Sequence, residues 1–213
     1  MNILREVGVP RSLRLWTTKP DTGIADPRVP IVRDENNAGI ASRLDTATKE
    51  RWFMLSGAVG RGKTTLVTAA FNDWVAVRIN RFKESGSKPT RRRPAWITES
   101  GIFYSAAHSG NIGVGGREIY LRHLSLTPLL VVDDLGGGRR NLTEWQGAAM
   151  RHLIAERHAE LRPTLFTTNL KSWDEIERRY GDHIASRMIE AAQDMIIMGG
   201  PDRRLRSGGV TKS

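Results

Sequence analysis

Residues 57–64 read Gly57-Ala58-Val59-Gly60-Arg61-Gly62-Lys63-Thr64, a full match to the pattern G-x-x-x-x-G-K-[ST]. The chemistry of that spacing is phosphate binding. Glycines let successive backbone N–H groups turn inward around an anion, a lysine reaches the β- and γ-phosphates, and a hydroxyl ligates Mg²⁺. Thr65 follows in the first turn of the helix expected after the loop. Residues Gly57 through Thr65 are therefore the candidate contacts for a nucleoside triphosphate, with Thr64 on the Mg²⁺ side.

Two further places carry suitable side chains. Leu129-Leu130-Val131-Val132 is an apolar run that ends in Asp133 and Asp134. One carboxylate at the end of a buried strand can hold Mg²⁺ against the β- and γ-phosphates, and a second can polarise the attacking water. Asp133, the first acid after the run, takes the metal role and Asp134 the water. Read alone, the pair could equally be a strand ending in solvated acids. Asn169 closes the next apolar run, Pro163 to Asn169, and could hydrogen-bond the water or the γ-phosphate. A turn or a cap for the following helix is the plainer role for the same residue.

These residues need a scaffold. Trp52-Phe53-Met54-Leu55 reads as a short buried strand, and Lys63 to Val77 as a helix without Gly or Pro whose N-terminus faces the anion. Pro94 to Glu99, Leu129 to Asp134, Pro163 to Asn169 and Met195 to Met198 read as further strands. Thr143 and Gln146 have capping-box spacing ahead of a helix with Trp145, Ala149, Leu153 and Ile154 on its apolar face. Ser172 and Glu175 start another helix that Gly181 ends, and a last one spans His183 to Ala192. Gly110 to Gly116 reads as a loop. Alternating strands and helices imply an α/β fold, a parallel sheet sandwiched by helices with the ligand at the strands' carboxyl ends.

The bulk properties narrow the class. A chain of 213 residues suits one α/β domain. Residues 1–35 are broken by Pro10, Pro20, Pro27 and Pro30, a short helix is expected over 38–49, and the domain itself over 36–206, with a flexible tail at 207–213. Cysteine is absent, which excludes disulfides and thiolate metal sites, and the five histidines lack ligand spacing. Neither a signal peptide nor a membrane-length apolar run is evident, so the expected compartment is the cytoplasm. The net charge of +10 suits a polyanionic partner or a basic solvated surface.

Taken together, three segments resemble a known family. "LLVVDDLG", then "AERHAELRPTLFTTNL", then "GDHIASRMIEAAQDMIIMGGPDRR" are similar to the DnaC/IstB branch of the AAA+ ATPases, and "GVPRSLRL" at Gly8 resembles the segment that precedes the core there. The resemblance covers roughly 8–206. It implies a P-loop NTPase of the AAA+ type; the expected departure from many members is the lack of a full C-terminal helical lid. Asp133 and Asp134 match the Walker B acids, although many members have Glu at the second position. Asn169 matches the sensor 1 residue, Arg187 the arginine finger that reaches a neighbour's γ-phosphate, and Arg204 the sensor 2 arginine, with Arg203 as its alternative.

The branch contains helicase loaders and transposition helpers. It implies slow ATP hydrolysis, self-association through the ATP site, and assembly on single-stranded DNA to load a replicative helicase, or alternatively delivery of a transposase. A small-molecule P-loop kinase and a nucleotide-gated binding module without turnover are readings of other classes. The DNA contacts expected from the residues are Lys83, Lys88, Arg91, Arg92 and Arg93, five cations in eleven positions with Phe82 and Trp96 nearby, in a run of 81–93 read as a loop because of Gly86 and Pro89. Trp96 suits the core better than a base.

Overall fold

The computed structural model describes residues 52–86, 92–110, 115–138, 141–192, 195–200 and 202. The readings for 1–35, for 38–49, for the tail and for Lys88, Arg91, Arg203 and Arg204 lie outside them, as does the side chain of Lys83. Within the described residues the strands are β1 (Trp52–Ser56), β2 (Ala95–Thr98), β3 (Leu130–Leu135), β4 (Thr164–Thr168) and β5 (Met195–Ile197). They form one sheet in the order β2-β3-β4-β1-β5, every neighbour parallel.

Alternation along each strand divides the core in two. Phe53 and Leu55 of β1, Val131 of β3 and Leu165 of β4 meet Leu66, Val67, Ala70 and Phe71 of α1 (Lys63–Ser85) on one face. Trp52 and Met54, Leu130 and Val132, and Phe166 face the other way. There they are covered by α2 (Glu99–Ser109), α3 (Gly116–Ser125), α4 (Glu144–Ala159), α5 (Trp173–Tyr180) and α6 (Asp182–Ala192). The expected α/β sandwich is present.

Several boundaries differ from the sequence reading. α1 continues through Ser85 instead of ending near Val77, so the first residues of the basic run, 81–85, are helical. No helix breaker occurs before Gly86, which caps the end in the left-handed region at φ 63°. The stretch between β2 and β3 also holds two helices that were not expected. Thr98 starts the first by accepting the Gly101 N–H on its hydroxyl (3.0 Å), and Gly115 starts the second. Elsewhere the caps are those the spacing implies. Gln146 N–H donates to Thr143 Oγ1 (3.3 Å) while Thr143 N–H donates to Gln146 Oε1 (2.9 Å), and Glu175 N–H donates to Ser172 Oγ (3.3 Å). Trp96 is core: 9% exposed, with its indole N–H on Thr68 Oγ1 (3.1 Å). Among the described residues no helix is long and apolar enough to cross a membrane.

Candidate nucleotide-binding site

The loop between β1 and α1 has the backbone of an anion cradle. Gly60 and Gly62 sit at φ 79° and 91°, where a side chain would be strained. Gly62 is the N-cap of α1 and offers no side-chain acceptor, and the first turn contains no acid. The first N–H groups of the helix thus keep their capacity for an external anion. A triphosphate fits this donor set.

Lys63, 8% exposed, turns back over the loop. Its Nζ donates to Gly57 O (2.6 Å), Ala58 O (3.0 Å) and Asn169 Oδ1 (2.8 Å). The same Asn169 amide donates from Nδ2 to Asp134 Oδ1 (3.2 Å). Strand order explains the bridge. β4 lies between β1 and β3, so the residue at its tip stands between the phosphate loop and the paired acids.

The acids occupy unlike environments. Asp133 is 6% exposed, and its Oδ1 accepts from Thr64 Oγ1 (2.9 Å) and from Thr167 Oγ1 (2.5 Å). Burial pushes its carboxyl above the usual range, while the hydroxyls of Thr167 and Thr64 and the charge of Lys63 oppose the rise. A hydroxyl and a carboxylate this close are hard oxygen ligands that fit Mg²⁺, which typically takes one or two protein oxygens and completes its shell with phosphate and water. Asp134 is exposed and its backbone is left-handed, at φ 56°. The cause is a bulge: Val132 pairs with Phe166 and Leu135 with Thr168, so Asp133 and Asp134 together face Thr167. Thr167 Oγ1 accepts the Asp134 N–H (2.9 Å), and the Asp134 carboxylate lies on Gly137, where a Cβ would overlap it. Sequence reading missed Thr167, which looks like one more β-branched strand residue; only its place opposite the bulge marks it.

Other candidates stand apart from this group. Arg187 is partly exposed on α6 and its Nη1 donates to His183 O (3.1 Å) of its own helix. Arg92 and Arg93 are exposed just ahead of β2. A further cluster was not expected. Glu99, 1% exposed, accepts from Arg179 Nη2 (3.2 Å), from the Tyr180 hydroxyl and from the Gly136 N–H (3.1 Å). It ties the turn after the paired acids to α5 and lines an open cleft of about 540 Å³ with Phe103, Tyr104 and Trp145.

A glycine-rich loop after the first strand, paired acids two strands away and a polar residue on the strand between give this α/β sheet the fold seen in P-loop proteins of the AAA+ type. Solved structures agree. The fold is similar to the DnaC helicase loader (TM-score 0.59, 17% identity, 82% of this chain and 95% of that one). It is also similar to DnaI (TM-score 0.60, 18% identity, 92% and 100%). A third likeness is to the replication initiator DnaA bound to AMPPCP and single-stranded DNA (TM-score 0.61, 15% identity); there the match covers 83% of this chain and 50% of DnaA, so this chain spans about half of that relative. No family model matches the sequence, and no curated protein matches it.

Proposed function

We propose that this chain binds ATP with Mg²⁺, hydrolyses it slowly, and assembles on single-stranded DNA to load or remodel a replicative helicase. The observation that carries the reading is the hydrogen-bonded group in which Asn169 joins Lys63 to Asp134 while Thr64 joins Asp133. Three elements that separately admit ordinary roles converge at the carboxyl ends of β1, β3 and β4. The likeness of the fold to DnaC and DnaA supports the replication setting.

Each residue then has a task. The backbone of Gly57 to Thr65 cradles the phosphates and Lys63 moves from the loop carbonyls to the β- and γ-oxygens. Thr64 and Asp133 hold the cation, which when bound neutralises charge on those oxygens. Asp134 orients the attacking water and Asn169 fixes Asp134 relative to the γ-phosphate. Arg187 of a neighbouring copy supplies positive charge to the transferring phosphoryl group, so turnover depends on assembly. Arg204 senses the γ-phosphate from within the chain. Lys83, Lys88, Arg91, Arg92 and Arg93 contact DNA phosphates.

The test is ATPase activity with and without single-stranded DNA. Stimulation by DNA that is lost in Lys63→Ala and in Arg187→Ala, with wild-type turnover rising faster than linearly in protein concentration, is the expected result. Phosphate transfer to a nucleoside or metabolite would instead make the chain a kinase. Affinity capture in the presence of ATP distinguishes a helicase partner from a transposase.

A further inference from the structure

The first turn of α1 has no acid of its own, yet an acid from much later in the chain lies on the phosphate loop. Asp202 sets its carboxyl against Gly60 so closely that a Cβ on that glycine would overlap Oδ1, Cγ and Oδ2. The segment leading to it is anchored by the sheet. Met198 N–H donates to Ser56 O (2.8 Å), and a Cβ on Gly57 would come within 2.7 Å of Met198 O. Met198 thus lies against Gly57 and Asp202, partly buried, against Gly60, both on the first half of the loop.

A carboxylate and a phosphate ask the same thing of a protein: donors and positive charge. The loop's N–H groups and Lys63 supply both. A carboxylate beside the cradle therefore acts against the ligand in two ways, by competing for the same field and by repelling added negative charge. Two like charges a few ångströms apart repel appreciably even at a partly screened surface.

We propose that Asp202 is a carboxylate gate on the nucleotide site. Its charge competes with the phosphates for the loop, lowers affinity more as the number of phosphates rises, and must give way when a triphosphate enters. The inference rests on the reading of Gly57 to Thr65 as the triphosphate site.

The experiment compares wild type with Asp202→Asn, which keeps the shape and removes the charge, and with Asp202→Ser. Binding of ATP, ADP and adenosine is measured by calorimetry, for ATP both with Mg²⁺ and without it. The expected result is roughly tenfold tighter ATP binding in Asp202→Asn, a smaller gain for ADP, none for adenosine, and a larger gain for ATP without Mg²⁺ than with it. Asp202→Ser follows the same order. Unchanged or weaker ATP binding overturns the gate, and so does an equal gain for ATP and adenosine, which would mark a steric effect. If neither wild type nor the variants bind ATP, the nucleotide reading falls with it; if all bind ATP equally, only the gate falls.

Discussion

Thr167 stands opposite the bulge that turns Asp134 into the left-handed region, and its hydroxyl accepts the Asp134 N–H that the ladder leaves over. The same hydroxyl donates its proton to Asp133. A single β-branched residue therefore sets both acids, one through its carboxylate and the other through its backbone.

Thr167→Val removes that hydroxyl while conserving shape. A buried carboxylate loses a donor and a backbone N–H loses its acceptor, which costs about 1–3 kcal/mol. Urea unfolding is expected to show this loss together with a fall in ATP turnover. Thr167→Ser should restore both.

Asn169→Leu cuts the link between Lys63 and Asp134 without touching the loop backbone. ATP binding should stay within about twofold of wild type while kcat falls roughly tenfold or more, the pattern of an interaction needed in the transition state. Titration with a fluorescent ATP analogue and steady-state turnover separate the two terms. Equal losses in binding and turnover would place Asn169 in ligand binding instead.

Gly137→Ala puts a methyl group where the Asp134 carboxylate lies. The carboxylate must move and Asp133 need not. Hydrolysis is expected to fall steeply with ATP affinity preserved, and calorimetry beside an ATPase assay checks the split.

Arg157→Met tests the opposite end of the sheet. The guanidinium is fully buried and donates to the carbonyls of Leu124, Ser125, Thr127 and Pro163 at 2.6–3.2 Å. Burial lowers its pKa to about 9, so it stays charged at neutral pH. Methionine fills the space but removes the guanidinium's hydrogen bonds. Leu124 O and Pro163 O keep the N–H groups of Thr127 and Leu130 as donors, while Ser125 O and Thr127 O lose the Arg157 donor. The expected loss is about 3 kcal/mol in urea unfolding. Its distance along the fold from the phosphate loop predicts unchanged ATP affinity in the folded fraction.

How much of this was legible beforehand depends on whether the information is local. The phosphate loop, Asp133, Asp134 and Asn169 each close an apolar run, so strand and polar tip could be read from a few neighbouring residues. The sandwich of helices and parallel sheet followed from the alternation of those runs with helical stretches. Thr167 could not be singled out, because its role comes from a bulge in a different strand. Helices α2 and α3 were hidden by Gly101, Gly110 and the glycines at 113, 115 and 116, which weaken helical periodicity where packing against the sheet decides the outcome. Glu99 looked like the end of a strand; its burial beside Arg179 and Tyr180, 80 and 81 positions away, is a tertiary fact.

The strand order has a consequence for how the molecule comes into being. β1, which carries the phosphate loop, pairs with residues 164–168 on one side and 195–197 on the other, both more than a hundred positions downstream. Contacts of that range close late. On a translating ribosome the loop is among the earlier described segments to emerge, yet its two flanking strands come last. The nucleotide site is thus framed only when almost all of the described chain is available, and a nascent chain stalled before β4 would carry the signature loop without the means to use it.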